Sequence, residues 1–364
     1  MARLPFFAVV LFSLVVLPLP AASQEPSPYL IDTGPLRIRD QFPLSMGYLA
    51  FDPVSAVVLD RGEWQIDVVT TLTNTWAQSD VVEGFLEDRD GRLPLTRADL
   101  TRLDGLDPNQ GLVFVDAELV RSALAVRRGF GDGVQLELVL PVLNYSGGFL
   151  DSTIEGFHDS FSFSQAGRLG VERDDFRAFV SHPGGTYELD GDPGARFGDL
   201  VVGAKFRLFE PNGERRYHLA LETVLELPTG SASQLGSNGA VDGGAQLLFT
   251  RYFEHACLHL SAGVLYLGAW DELSIGEQVM PSAMVAWEQG LGPKTSALAQ
   301  LTVGFSPLDD LEIDELSGTT LQLTVGVKRV VFADKVLFLG ITENLLRFDS
   351  TSDVGAHFGI TTTF

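Results

Sequence analysis

The chain comprises 364 residues with a formal net charge of −23 and one cysteine, Cys257. A lone cysteine excludes an intramolecular disulfide and a cysteine-based metal centre. So acidic a chain, without any basic patch, excludes a phosphate-binding surface, and nucleic acid is not an expected partner.

The N-terminus carries Arg3, an apolar run from Leu4 to Leu19 and the small residues Ala21-Ala22-Ser23 before Gln24, which together read as a secretory signal peptide over residues 1–23. Beyond Leu19 no run approaches 18 consecutive apolar residues, so no transmembrane helix is available. A membrane crossing must then be made by strands closed on themselves, because an open sheet edge in lipid leaves backbone groups unpaired. Residues 24–61 are expected to form an N-terminal periplasmic or lumenal segment, and residues 62–364 one barrel. The roughly 340 residues after the signal exceed what one soluble core usually organises but suit a single barrel.

From Gly62 onward about twelve segments alternate apolar and polar residues over roughly the length that a tilted strand needs to cross the hydrocarbon layer. They fall near Gly62–Trp76, Gly111–Arg127, Gly133–Tyr145, Phe197–Phe209, Arg216–Leu227, Ala240–Tyr252, Ala256–Gly268, Val279–Gln289, Thr295–Ser306, Thr319–Val330, Lys335–Leu345 and Asp353–Phe364. The connectors alternate long and short, as in Ala77–Gln110 against Arg128–Asp132 and Ser146–Arg196 against Glu210–Arg215. Barrels of outer-membrane type keep that rule, with short periplasmic turns and long outer loops.

Individual strands reveal their faces. Trp64, Ile66, Val68, Thr70 and Leu72 oppose Gln65, Asp67, Thr71 and Thr73, and Tyr217, Leu219, Leu221, Thr223 and Leu225 oppose His218, Ala220, Glu222 and Glu226. The apolar set should face lipid and the polar set the lumen, with Trp64, Trp76, Tyr217, Tyr252, Tyr266, Trp287, Phe305 and Phe364 in interfacial girdles. Arg121 breaks the pattern by sharing a face with Val113, Val115, Ala117 and Leu119. A charge on the lipid face costs about 2–4 kcal/mol in mid-membrane, so a bulge between Glu118 and Arg121 is the expected remedy. The Lys335–Leu345 segment is apolar on both faces until Thr342, Glu343 and Asn344.

The connector over residues 147–196 departs from strand periodicity. In Gly147–Phe161, Leu150, Ile154, Phe157 and Phe161 recur at spacings of four, three and four, which predicts a helix with one apolar stripe. Asp151, Glu155 and His158 stand on a neighbouring face. The stripe is expected to pack on the wall, so that the helix over Phe149–Phe161 folds into or across the barrel mouth as a plug or constriction. At the C-terminus, Val354, Ala356, Phe358, Ile360, Thr362 and Phe364 share an apolar face against His357, Gly359, Thr361 and Thr363.

An exported chain that ends in such a strand resembles a bacterial outer-membrane β-barrel. That resemblance implies that Phe358, Ile360 and Phe364 form the signal read by the outer-membrane barrel assembly machinery. A narrower likeness rests on GPLRIRDQFPLS at Gly34–Ser45, GGFLDSTIEGFHDSF at Gly147–Phe161, Gly167-Arg168, FGDLVVGAKFRL, ELPTG at Glu226–Gly230 and the closing SDVGAHFGITTTF. These motifs resemble the outer-membrane proteins grouped as Domain of Unknown Function 3187. The resemblance implies a barrel and assigns no activity.

Several side-chain groups are candidates for chemistry. Asp151, Glu155 and His158 have the donor types for a divalent cation, but three ligands from one helix are weaker support than ion pairing to lumenal Lys and Arg, so no metal and no cofactor is expected. Ser160 and Ser162 near His158 and Asp159 suggest a hydrolase, yet no nucleophile-elbow sequence accompanies them and neighbours on a helix point in different directions. No catalytic residue is assigned. Lys205 and Arg207 lie across a short turn from His218 and Glu222, so antiparallel pairing should bring them together on the lumen wall. His259 and His357 should face the lumen as satisfied wall residues.

The expected molecule is an all-β, antiparallel transmembrane β-barrel of about twelve strands, in the bacterial outer membrane, with both ends periplasmic and a short helical plug. Its partners are outer-membrane lipids and the assembly machinery, and its leading function is passage of a small or amphipathic solute. A lipid or lipopolysaccharide hydrolase and a structural or adhesive barrel are the alternatives.

Overall fold

The computed structural model describes residues 33–106, 110–209, 217–332, 335–346 and 350–364; the expected signal peptide lies outside them. Their backbone forms one antiparallel sheet of fifteen strands. In chain order these are β1 (Trp64–Gln78), β2 (Leu112–Phe130), β3 (Val134–Ser146), β4 (Arg177–His182), β5 (Gly185–Asp190), β6 (Gly194–Phe197), β7 (Leu200–Phe209), β8 (Tyr217–Leu227), β9 (Asp242–Tyr252), β10 (Ala256–Leu267), β11 (Gln278–Gly292), β12 (Thr295–Phe305), β13 (Thr319–Phe332), β14 (Lys335–Asn344) and β15 (Val354–Thr363).

Twelve of them, β1 to β3 and β7 to β15, close a barrel. The first and last strands pair from Gln65 opposite Thr363 to Asn74 opposite Val354, and β2 pairs with β3 to complete the ring. Closure leaves no unpaired edge in lipid, which is the condition for spanning a membrane with strands. Residues 131–133, 253–255 and 293–294 are short turns at one end, whereas residues 79–111, 147–199, 228–241 and 306–318 are long connections at the other. At the long-loop end, β4 pairs with the start of β2 and β6 with the end of β3, so the wall there rises beyond the ring.

Alternation sorts the side chains. Val68, Leu124, Leu138, Leu225, Val264, Val327, Leu339 and Phe358 are exposed on the outside, while Asp67, Thr71, Gln135, Lys205, Glu222, Gln246, His259, Gln300 and His357 are buried inside.

Arg121 requires a correction. Its pairings to Thr71 on β1 and Leu143 on β3 run without a register shift, so there is no bulge. The face it shares with Val113, Val115, Ala117 and Leu119 is the inward one, continuous with buried Ala123, Ala125 and Arg127. The inward face of β2 is apolar because it packs against another part of the chain inside the barrel.

That part is residues 33–61, which run up the lumen and back as a hairpin. Ascending, Leu36 exchanges 3.0 Å hydrogen bonds with the Gln300 side chain through its N–H and its carbonyl. Leu36 also lies over Gly326 and Gly340, where an added Cβ would approach its Cδ1 to 2.5 and 3.1 Å. The hairpin turns at Pro43–Ser45, and Phe42, Leu44 and Tyr48 join Val113, Val115, Leu143, Trp270, Leu308 and Ile313 in the largest buried cluster. Descending, the Leu49 N–H donates to Asp242 at 2.9 Å, Ala56 N–H to Thr250 Oγ1 at 2.9 Å and Leu59 N–H to Gln135 at 3.1 Å. The two apolar faces of Lys335–Leu345 follow from this filling, because inward Phe338 packs with Leu36, Ile38, Val69 and Leu298.

Outside the ring, the long loops fold a cap with helices α1 (Asp80–Glu87), α2 (Arg97–Asp104) and α3 (Asp151–Phe161). A capping box of Thr96 and Asp99 starts α2. Leu86, Leu100, Leu103, Phe114, Val171 and Phe179 bury Trp76, so Trp76 belongs to this cap and not to an interfacial girdle.

The expected helical plug is also corrected. Phe157 and Phe161 on its stripe are 53% and 61% exposed, while Asp151 and Glu155 are its buried residues. The helix therefore turns its acidic face to the protein and its aromatic face outward, and the hairpin of residues 33–61 occupies the lumen instead.

Candidate functional site

The site with the densest polar chemistry is the lumen beside the descending hairpin, against β2, β3, β7 and β8. The β7–β8 register sets Lys205 opposite Glu222. Lys205 Nζ donates to the Ser55 carbonyl at 2.8 Å, and Glu222 accepts from Gln246 Nε2 at 2.6 Å. Arg207 reaches the Val58 carbonyl at 3.4 Å and Asp60 at 4.0 Å. Its neighbour on the wall, His218, meets Tyr252 edge-on at 5.8 Å. The structure thus brings Lys205, Arg207, His218 and Glu222 to one stretch of lumen, each engaged by the hairpin or by the wall.

Arg37, from the ascending arm, binds Glu137 on β3 and Asp52 on the descending arm, the latter at 2.8 Å. Arg127 pairs with Asp67 across β1 and β2. On the opposite wall Lys328 bridges Glu288 at 2.6 Å and the Gly34 carbonyl, and Ser296 donates to the same carboxylate at 2.5 Å. Arg37, Asp52, Asp67, Arg127 and Glu137 were not among the sequence candidates. The two-residue spacing of Arg37 and Arg39 in GPLRIRD, which sends both to one side of an extended segment, was the available signal.

Cavities flank the hairpin. One of about 270 Å³ opens at the short-turn end among Arg37, Ser55, Arg127, Lys205, Arg207 and His218. A second of about 90 Å³ lies towards the loops beside Arg39, Met280, Val303 and Gln322. Between the hairpin and the β2–β3–β7–β8 wall the space narrows to about 30 Å³, lined by Arg37, Arg39, Phe51, Arg121, Val139, Val201 and Val224. Such a waist has room for a water or two.

Of the two wall histidines His357 is satisfied at both ring nitrogens, whereas His259 is held at Nδ1 only and its buried Nε2 has no partner among the described residues. His259 Nδ1 lies 3.0 Å from Thr250 Oγ1, and His357 contacts Thr71 and Thr342 hydroxyls at 3.0 and 2.7 Å.

Asp151, Glu155 and His158, expected as lumen or plug residues, stand in the cap. Glu155 is clamped by Arg92 at 2.6 Å and by Arg173. Burial would raise its carboxyl, but the hydrogen bonds from Arg173 and Arg92 outweigh that and hold it below its ordinary value. Burial pushes the Asp151 carboxyl up, against the pull of the Asp174 N–H and of Arg168. Arg168 in turn binds Asp353 at 2.9 Å and stacks over Trp76 at 4.8 Å. Gly148, at φ +76°, is required here because a Cβ would strike the Glu118 carboxylate that receives the Phe149 and Leu150 N–H groups. His158 Nδ1 is 2.6 Å from the Ser164 carbonyl, and Ser160 Oγ donates to the Gly156 carbonyl at 2.7 Å. These two side chains are spent on backbone groups and do not meet as nucleophile and base. Among the described residues no three His, Cys, Asp or Glu side chains cluster as metal ligands.

A closed ring of twelve antiparallel strands, apolar outside and polar inside, with short turns at one end and long loops at the other, is an outer-membrane β-barrel. The family described as Protein of unknown function (DUF3187) matches residues 108–364, and the chain belongs to that family. No curated protein matches its sequence. Among solved structures it is similar to the COG4313 outer membrane channel from Pseudomonas putida F1, at 14% identity and a TM-score of 0.51, over 86% of this chain and 100% of that one. It is also similar, more loosely, to the NanC porin, at 6% identity and a TM-score of 0.39, over 82% of this chain and 98% of that one. The P. putida toluene transporter TodX gives 9% identity and a TM-score of 0.35, over 84% and 89% of the two chains. The first likeness is one of fold.

Proposed function

We propose that this protein is a channel of the bacterial outer membrane that passes a small or amphipathic solute through its lumen, with the hairpin of residues 33–61 as its constriction. The observation that carries the reading is a lumen that is not packed solid. Cavities of about 270 and 90 Å³ flank a waist of about 30 Å³, where the hairpin meets the wall through hydrogen bonds and ion pairs that water can replace as well as through the apolar contacts of Leu36, Phe42, Leu44 and Tyr48. The similar P. putida F1 protein is described as an outer membrane channel. Under this reading the short turns and both termini face the periplasm, lipid tails surround the exposed apolar band, and the assembly machinery reads the strand that carries Phe358, Ile360 and Phe364.

Conductance in planar bilayers and solute entry in swelling liposomes test it. The wild type should pass small solutes, and deletion of residues 34–59 should widen the pore and raise both readings several-fold. A barrel that is folded by heat-modifiability and equally tight with and without the hairpin would remove the channel.

A further inference from the structure

The outward face of α3 carries an aromatic cluster that no described residue covers. Phe163 joins Phe157 and Phe161 there, because Ser162 takes the left-handed conformation at φ 57° and the Phe163 N–H closes onto the His158 carbonyl at 2.9 Å. The rings of Phe157 and Phe161 lie 4.7 Å apart, and that of Phe163 stands 5.9 and 6.0 Å from them. Phe163 is 56% exposed, and Phe149, just before the helix, 66%. An exposed apolar cluster fixed in shape by its own stacking marks a surface that meets something other than water.

Its height on the barrel identifies the occupant. The Glu118 carboxylate, which takes the Phe149 and Leu150 N–H groups, projects from the outward face of β2 opposite Asn74 on β1. Asn74 accepts from Arg168, which also pairs with Asp151 at 3.7 Å. Outward positions below this level, from Val68 and Leu124 up to Leu72 and Val120, are apolar or hydroxylated and at least partly open; Asn74 and Glu118 are polar and covered. The ten residues from Trp64, at the short-turn end, to Asn74 span about 33 Å of strand, or about 25 Å of height at a tilt of about 40°. That is the height of a lipid-facing apolar band, so α3 is fastened at its outer edge. The acidic face of the helix binds the wall, and the aromatic face therefore points away from the barrel axis, where lipid lies at that height. A partner from solution would have to displace this lipid, whereas acyl chains meet the rings without rearrangement.

We propose that α3 is an interfacial helix, with Phe157, Phe161 and Phe163 sunk among the acyl chains of the outer leaflet so that they fasten the cap to the membrane. Amphipathic helices with phenylalanine on one face lie in this way, at the boundary between headgroups and chains. The proposal goes beyond passage through the lumen and holds whether or not the barrel conducts.

The test is quenching of a fluorophore on the barrel in phosphatidylcholine vesicles whose acyl chains carry nitroxides, with Cys257→Ser removing the native thiol. A probe at Phe161→Cys should be quenched several-fold more than one at Arg102→Cys, and a probe at lipid-facing Leu124→Cys, also quenched, certifies insertion. Arg102 is exposed on α2, whose Asp104 accepts from Ser181 opposite Leu112, six residues further up β2 than Glu118. Adding Phe157→Ser and Phe163→Ser should release the Phe161→Cys probe to water in a barrel that remains heat-modifiable, which separates insertion driven by the rings from insertion driven by the probe. Quenching at Phe161→Cys no greater than at Arg102→Cys, or unchanged by the two serines, would overturn the proposal. So would emission shifted to the blue without quenching, the sign that a second copy of the chain covers the face.

Discussion

Glu155 and Arg121 show how far a single position can be read from its neighbours in the chain. The sequence placed Glu155 on a face beside the apolar stripe of its helix, which left open whether the acid met a metal, a lumenal cation or solvent. Arg92 and Arg173, respectively 63 and 18 residues away, decide the matter. Because the folded Glu155 carboxyl lies below its ordinary value, its clamp contributes in full at neutral pH and is lost as the pH falls through the folded value. Hydrogen exchange should therefore show α3 opening on acidification, whereas Glu155→Gln should already be loosened at neutral pH by about 1.5–3 kcal/mol. Identical protection in both proteins from neutral to acid pH would contradict the clamp. Arg121 was placed on the correct face of its strand, but that face was assigned to lipid because its neighbours are apolar. Apolar residues point inward wherever an apolar segment lies inside, and here Phe42 to Tyr48 supply it.

At the scale of elements, periodicity identified the strands and α3 without locating every partner. The helix forms over Asp151–Phe161, close to the expected Phe149–Phe161. Its stripe, however, is outward, because an amphipathic pattern states that two faces differ and leaves the choice of buried face to the surroundings. Three arginines around the acidic face made that choice. The lumenal hairpin depends on a different device, a leucine seated on bare backbone at Gly326 and Gly340. Leu36→Ala should unseat the ascending arm at a cost of about 2–4 kcal/mol, seen as faster amide exchange over residues 34–59 with the barrel strands still protected. Unchanged exchange there would mean that the polar contacts alone hold the hairpin.

Across the whole molecule, the first and last barrel strands must find each other over a separation of about 300 residues, and the ring has no stable edge until they do. Trp64 and Phe364 exchange backbone hydrogen bonds at 2.8 and 2.9 Å at the end of that seam. Deletion of residues 354–364 should leave a chain that neither inserts into liposomes nor becomes heat-modifiable, while Phe364→Ala should insert more slowly and reach the same final fold. Normal insertion of the truncated chain would refute closure through β15.

Strand number, the inward and outward faces of most strands and the division into short turns and long loops were legible in the residues, because each is a property of ten or so consecutive side chains whose period survives whatever surrounds them. The pairing of Lys205 with Glu222 was legible for the same reason, a short turn between two alternating strands. What fills the lumen, which face of α3 is buried and where Arg121 points were decided only in three dimensions. Those outcomes rest on contacts such as Leu36 with Gln300, 264 residues apart. No local pattern encodes such contacts, since burial depends on what other part of the chain arrives to cover each face.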